Sequence, residues 1–162
     1  MADIMFSIFK VEWWDTSGTP EWRSLGVTKG GATFSQTIDK LDIKSDQSSD
    51  PVAKVVLRAP KTLKLNLLDA TPDNLALAFG GTVNADGVTV EIPSLVTGVE
   101  RAIKITTKTV NGTYYEIVIK RGFITGAAEL SMTDMDASSI PLDVKILKPT
   151  SGAPVTIEKK TA

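Results

Sequence analysis

Apolar and polar residues alternate along several short stretches of the chain, a two-residue period typical of β-strands with one buried face. In 38–44, three aliphatic residues are interleaved with four charged ones, and in 63–67 three leucines alternate with Lys64 and Asn66. The stretch 52–58 between them is rich in β-branched residues. These patterns predict strands, and we expect the aliphatic side chains of 38–44 to pack against their own domain.

Two glycine-containing sequences predict tight connections between strands. Asn111-Gly112 separates the apolar stretches 102–109 and 113–121, and this dipeptide favours the positive φ angles of a two-residue hairpin turn. Lys29-Gly30-Gly31 divides 22–35 into two shorter pieces, which predicts a second hairpin. Further strands are predicted at these positions: 88–92, 123–132, 142–147 and 155–158.

A single short helix is predicted over Pro72–Phe79. Thr71 is suited to cap the free amide groups, Pro72 to occupy the first helical position, and Gly80 to end the helix in a left-handed conformation. Many short strands with one helix, and no alternation of strands and helices, predict a mainly β fold. We expect one domain over 1–162, an antiparallel sandwich or partly open barrel with the helix at its side.

The opening of the chain has neither a clean strand period nor a clean helical one. It is apolar up to Trp14, and all three tryptophans lie before residue 23. One interpretation is that the ordinary core contains these aromatic side chains; the other is that 1–20 is an arm that docks on a neighbouring subunit.

Composition limits the chemistry that the chain can perform. With 18 basic and 19 acidic residues the formal charge is −1, which argues against tight nucleic-acid binding through a basic surface. The absence of cysteine and histidine excludes thiol nucleophiles, disulfides and imidazole metal sites. No stretch approaches the roughly 20 apolar residues of a membrane-spanning helix.

The remaining candidates for chemistry are weak. Asp134 and Asp136 are spaced for a hard cation but have no third acid nearby, and Asp39 with Asp42, or Glu129 with Asp134, are carboxylate pairs without a sign of burial. We therefore expect no catalytic residue, no metal and no cofactor.

Two segments resemble the centre of phage tail tube proteins. The first runs from Gly31 to Val52 and contains Asp-Gln-Ser-Ser-Asp-Pro at 46–51; the second, 59–81, combines a strand with the capped helix. The matching residues are Asp46, Gln47, Ser48, Asp50, Pro51, Val52, Thr71, Asn74, Leu75, Gly80 and Gly81.

The resemblance implies a non-enzymatic subunit of hexameric rings, in which strands of neighbouring subunits join into one continuous β-barrel around a channel. Strands over 37–45 and 52–68 would line that channel. Family channels are often acidic, whereas the residues here carry both signs of charge. The implied lumen-facing residues are Asp39, Asp42, Lys44, Lys64 and Asn66.

The resemblance also implies how rings stack. A loop over 45–52, with Asp46, Gln47, Ser48, Asp50 and Pro51, would reach the adjacent ring, and the N-terminal arm would add contacts through Phe6, Phe9, Trp13 and Trp14. Implied partners are a tape-measure protein, tail terminator and baseplate or tip proteins, and passing double-stranded DNA that is not bound sequence-specifically. The expected location is the virion tail, assembled in the cytoplasm of the host bacterium.

Three other interpretations stay open at this point. The same fold would serve as the inner tube of a contractile tail or injection system. A carbohydrate- or protein-binding sandwich would use aromatic platforms such as Trp13, Trp14, Tyr114 or Tyr115. An enzyme is the weakest class, because no arrangement of carboxylates, lysines or hydroxyls is recognisable.

Overall fold

The computed structural model describes residues 8–16, 19–47, 49–130, 132 and 138–162. Within them, strands alternate with short connections and one helix follows the sixth strand. The elements are β1 (Ile8–Asp15), β2 (Glu21–Ser24), β3 (Thr28–Gln36), β4 (Asp39–Lys44), β5 (Pro51–Arg58), β6 (Lys61–Leu67), α1 (Pro72–Phe79), β7 (Thr82–Val83), β8 (Val90–Glu91), β9 (Val99–Thr107), β10 (Thr113–Ile124), β11 (Ile140–Ile146) and β12 (Val155–Thr161).

The main sheet is antiparallel and has eight strands. Its order is β2-β1-β9-β10-β11-β6-β3, and β12 also pairs with β10. The long strand β10 makes this arrangement possible, because β12 lies along its first half and β11 along its second half. The predicted mainly β, antiparallel class is therefore confirmed.

The main sheet is strongly curled, and a short connection requires the curl. β2 and β3 stand at opposite ends of the strand order, which in a flat sheet would separate them by about 29 Å over six strand spacings. Only residues 25–27 connect them, and the four steps from Ser24 to Thr28 span at most about 14 Å. Backbone bonds from Leu25 to Val11 and from Leu68 to Val27, both 2.8 Å, tie this connection to β1 and to the end of β6. The described strands therefore form a curled sheet whose end strands β2 and β3 do not pair into a closed barrel.

The core lies inside the curl, where aliphatic side chains of both halves of the sheet meet. β6 alternates buried leucines with exposed polar residues, as its sequence predicts. The helix adds Leu77 and Ala78. The other buried members are Val11, Leu25, Leu63, Leu65, Leu67, Ile103, Ile105, Ile119, Ile124, Ile140, Leu142 and Val144.

Helix α1 has the bounds and caps that the sequence predicts. The Thr71 hydroxyl accepts a hydrogen bond from the Asn74 amide at 3.3 Å, and Gly80 ends the helix with φ 67°. The buried Asn74 side chain donates to the carbonyls of Leu25 at 3.0 Å and Asp69 at 2.9 Å. The helix is thus attached both to the end of β6 and to the short connection that curls the sheet.

β4 and β5 form a separate two-stranded sheet beyond the main one. β3 pairs with β6 up to Gln36 and Lys61, and after a break of two residues on each strand the two chains pair again as β4 and β5. At the break, the Thr37 amide donates to the Pro60 carbonyl at 3.0 Å. The aliphatic side chains of β4 do not pack against the domain as expected: Leu41 is 51% exposed, because β4 lies beyond the end of the main sheet and pairs only with β5.

One predicted hairpin is confirmed and the other is wrong. β9 and β10 pair through a turn in which Asn111 has φ 51° and Gly112 has φ 73°. Gly30 and Gly31 also have positive φ, at 74° and 78°, but both lie inside β3. They shift the register against β6 rather than reversing the chain, so the two glycines form a bulge.

Two further strand predictions are correct only in part. Phe123 and Ile124 are the end of β10, and 125–130 is not a strand, because the turn at Gly126, with φ 73°, ends the pairing. The predicted strand 88–92 is reduced to β8, which pairs only with β7. Among the described residues, no helix is long and apolar enough to cross a membrane.

Replacing Asn74 by alanine should destabilise the domain by about 2–4 kcal/mol, because two buried carbonyl groups lose their donor. Denaturant unfolding of the unassembled subunit measures this change. Asp73→Ala is the matched control on the exposed side of the same helical turn and should cost no more than about 1 kcal/mol. Equal losses for the two variants would contradict the structural role of Asn74.

Candidate assembly surfaces

The β4–β5 hairpin, which we call the projecting hairpin (39–58), has two different faces. Cross-strand partners lie on the same side of a β-ribbon. Leu41 pairs with Val55 and Ile43 with Ala53, so one face is apolar. On the other face, Asp42 pairs with Lys54, and Lys40 with Val56.

The apolar face of the projecting hairpin has no cover in its own chain. Leu41, Ile43 and Val55 are 51%, 46% and 44% exposed, and every residue of β5 is exposed. A two-stranded hairpin without packing on one face is at best marginally stable in water. This face therefore has the properties of an unfilled interface rather than of a free surface.

Ion pairs neutralise much of the charge on the hairpin. Arg58 lies 2.7 Å from the Asp39 carboxylate and Lys54 lies 3.8 Å from that of Asp42. Both pairs are exposed and add little to stability. Both predicted lumen-facing acids, Asp39 and Asp42, thus have basic partners beside them, so this part of the surface is not strongly acidic.

Lys64 and Asn66 lie on the outer face of the main sheet, opposite the buried leucines of β6. Lys64 stands directly between Thr33 on β3 and Asp143 on β11. A cleft of about 550 Å³ opens along this face, with Lys64, Asn66, Glu129 and Asp143 among its lining residues. In the described parts of the chain, no group of three acidic residues is placed to hold a metal ion. Asp134 and Asp136 lie outside the described residues.

A chain of ion pairs crosses the outer face of β1, β9, β10 and β12. Lys104 lies 3.1 Å from Glu12 and 4.0 Å from Glu116, and Lys160 also pairs with Glu116. Burial raises the pKa of the Glu12 carboxyl, but the ammonium groups of Lys104 and Lys10 outweigh that effect and hold the pKa below its usual value. These strands are thereby joined on the side that faces away from the core.

The aromatic side chains near the start of the chain have occupied ring faces. Trp14 and Trp22 pack edge to face with their ring centroids 5.2 Å apart. The Arg101 guanidinium lies 5.2 Å from the centre of the Trp13 ring, and the Lys104 ammonium 4.6 Å from that of Trp22. These contacts stabilise β1 and β2 through cation–π attraction.

Comparison with protein families identifies the kind of protein that has this sequence. A family model described as phage tail tube protein matches residues 10–158. The chain belongs to the phage tail tube protein family. No individual curated protein matches the sequence of this tail tube protein. Membership assigns the chain a structural role in the phage tail and confirms the family that the sequence resembles.

The residues predicted to face the lumen or to stack rings in this tail tube protein lie in three parts of the structure. Asp39, Asp42 and Lys44 lie on the projecting hairpin, whereas Lys64 and Asn66 lie on the main sheet. The predicted stacking loop 45–52 forms the tip of the hairpin, where the Gln47 amide donates to the Ser45 hydroxyl at 3.2 Å; Ser48 lies outside the described residues.

The predicted N-terminal arm is in part a strand of the tail tube domain itself. Trp13 and Trp14 lie in β1, between β2 and β9, and Trp13 packs against the core. Phe6 and the side chain of Phe9 are outside the described parts of the chain. Contact of an arm with a neighbouring subunit stays a prediction.

Sequence reasoning missed the apolar face of the hairpin as a functional feature. The alternation in 38–44 was a correct signal for a strand with one apolar face. It carried no information on whether that face packs inside the domain or outside it, since both need the same residue types.

Replacing Lys104 by methionine should lower the free energy of unfolding by roughly 1–3 kcal/mol at pH 7, because Glu12 loses its nearest charged partner. A carboxyl group with a lowered pKa stabilises the fold above about pH 4.5, and this contribution is lost as the pH falls through the folded-state pKa. The difference between wild type and variant should therefore shrink between pH 7 and pH 3. Denaturant titrations at several pH values measure it.

Lys104→Arg is the control, because it keeps the positive charge and should retain the pH dependence of the wild type. A difference between Lys104→Met and wild type that is constant with pH would contradict the pairing.

Proposed function

We propose that this chain is the subunit of a tail tube in which hexameric rings stack around a channel that conducts DNA into the host bacterium. The observation that carries the proposal is the projecting hairpin, whose apolar face is exposed at Leu41, Ile43 and Val55. A subunit with this surface gains the free energy of apolar burial only when a second copy covers it. Membership in the tail tube family supports a copy of the same chain as that partner.

The hairpin tip is the proposed stacking element between rings. Residues 45–52 stand at the end of the two-stranded extension, as far from the main sheet as β4 and β5 reach. Asp46 is exposed there, and its carboxylate can accept hydrogen bonds from an adjacent ring. Further contacts from the N-terminal segment, with Phe6 and Phe9, are part of the same proposal.

Pairing of strand edges between subunits is the proposed basis of the ring. Among the described strands, β3 pairs only with β6 in the main sheet and β12 only with β10. Unpaired edges promote aggregation unless another strand covers them. A closed ring of subunits would pair such edges and produce one continuous barrel around the bore.

The outer face of β6 is the proposed wall of the channel, together with the polar face of the hairpin. Lys64 and Asn66 would face the bore there, with Asp42 and Lys44 in the adjoining ring layer, and Asp39 lies beside Arg58. The mixture of basic and acidic groups would make a polar wall without a strong net charge. Such a wall neither binds phosphates tightly nor strongly repels them.

The alternative of a glycan-binding sandwich has less support. A stacking platform needs an accessible aromatic face, whereas cations lie over the rings of Trp13 and Trp22 and Trp14 packs on Trp22. The proposed partners are further copies of the chain, a tape-measure protein, the terminator and baseplate or tip proteins, and passing DNA. Assembly would take place in the cytoplasm of the host.

Leu41→Asp should prevent tube formation at concentrations where the wild type assembles. Burial of one leucine contributes about 1.5–3 kcal/mol, so the critical concentration should rise roughly ten- to a hundredfold. The free energy of unfolding of the subunit should change by less than about 0.5 kcal/mol, since Leu41 is exposed. Negative-stain microscopy and sedimentation measure assembly, and denaturant unfolding measures stability.

Val56→Asp is the matched control, because Val56 is exposed on the opposite face of the same hairpin. It should affect assembly less than Leu41→Asp. Normal tubes from Leu41→Asp would contradict the role of the apolar face.

A single cysteine at position 66 tests the channel wall, since the chain has no cysteine of its own. In assembled Asn66→Cys tubes, a small maleimide dye should label the thiol, whereas a maleimide carrying a large polyethylene glycol should not reach it. Both reagents should label the unassembled variant. Labelling of tubes by the large reagent would place Asn66 on the outside, and labelling by neither would place it in a contact between subunits.

A further inference from the structure

The exposed large apolar side chains of the described residues fall mainly into two groups. One group belongs to the projecting hairpin and its base. The other, which we call the helix-pole patch, surrounds helix α1 and the loop before β9; Leu95 in it is 81% exposed and Val88 74%. Its members are Val27, Val88, Ile92, Leu95 and Val96.

The helix-pole patch is held in place by close packing. The side chain of Val96 fills space beside Gly80 and Gly126, where an added Cβ would approach its Cγ1 to 2.3 Å and 2.5 Å. Both glycines have positive φ, so their lack of a side chain serves the turns as well as this contact. The loop 92–98 is thereby anchored on the end of the helix with Ile92 and Leu95 directed to solvent.

The two apolar groups lie at opposite ends of the main sheet. The projecting hairpin leaves the sheet at Gln36 and Lys61. Leu67 marks the other end of β6, where it pairs with Ile140 of β11. At that end the chain enters α1, and β9 begins there at Val99, directly after the loop with Ile92 and Leu95.

The same two ends differ in charge. The segment 65–100, which forms the helix pole, contains five acidic residues and no basic one; Asp73 and Glu91 are exposed there. The projecting hairpin carries four acidic and four basic residues, so its net charge is zero. Charge thus opposes contact between two acidic helix poles, whereas it does not oppose contact between a helix pole and a hairpin.

We propose that the helix-pole patch is the docking surface for the projecting hairpin of the next copy along the tube. This inference rests on the proposed tube and names the contact that joins successive subunits. Leu41, Ile43 and Val55 of one copy would pack on Ile92 and Leu95 of the next. Because the two surfaces differ and lie at opposite ends, the contact is head-to-tail and repeats without limit, as a linear polymer requires.

Engineered disulfides test the contact, because the chain has no native cysteine. Leu41→Cys and Leu95→Cys subunits are mixed, allowed to assemble and oxidised, and dimers are counted on a non-reducing gel. The expected result is a disulfide-linked dimer in the mixture and none with either variant alone. Ile43→Cys with Ile92→Cys is a second pair, so that an unfavourable geometry at one position does not decide the outcome.

Leu41→Cys with Ile157→Cys is the matched negative control, because Ile157 is 56% exposed on β12, away from the helix pole. In parallel, Leu95→Asp should raise the critical concentration of assembly roughly ten- to a hundredfold while the monomer unfolds as the wild type does. If the wild type forms tubes but neither cysteine pair gives a disulfide-linked dimer, the inference is wrong, and the same holds if Leu95→Asp assembles normally. Either result would leave the proposed tube intact. A wild-type protein that forms no tubes would instead overturn the proposed function itself.

Discussion

A two-stranded ribbon cannot bury its own apolar face, and the rest of this structure is arranged around that constraint. The eight-stranded sheet satisfies its apolar side chains by curling on itself and by adding helix α1. The projecting hairpin continues from the same sheet but leaves the curl at Thr37 and Pro60. Its aliphatic residues therefore remain exposed, and only another molecule can remove them from water.

The parts of the molecule separate folding from assembly. Residues that hold the domain together, such as Asn74 and the buried leucines of β6, lie inside or behind the curl. Residues proposed to hold copies together, such as Leu41 and Leu95, are exposed at its two ends. A subunit of this design can fold first and polymerise later, since its core does not depend on the surfaces that a neighbour covers.

The sequence predicts the structure correctly where interactions between residues close in sequence determine it. The alternation of leucine and polar residues in β6, the capping residues of α1 and the Asn111-Gly112 turn each act within a few residues, and all three have the predicted form. Gly30 and Gly31 have the predicted positive φ, but whether such a pair reverses or bulges the chain depends on β6, a partner distant in sequence.

The exposure of the hairpin could not be predicted for the same reason. A strand that packs on its own core and one that packs on a neighbour have the same pattern of residues. The helix-pole patch is still harder to predict from the sequence, because Ile92, Leu95 and Val96 are spaced irregularly in a loop. Val27 lies in the short connection 25–27, which joins opposite edges of the sheet.

The break between the main sheet and the projecting hairpin has a mechanical consequence. Pro60 has no amide hydrogen to donate, and the β4–β5 ladder shifts its register next to the break, between Asp39 and Lys40. Between these two paired regions, the hydrogen bond from the Thr37 amide to the Pro60 carbonyl joins the two chains. In a polymer linked through such hairpins, we expect bending to concentrate at these joints, so that the filament flexes while each domain keeps its shape.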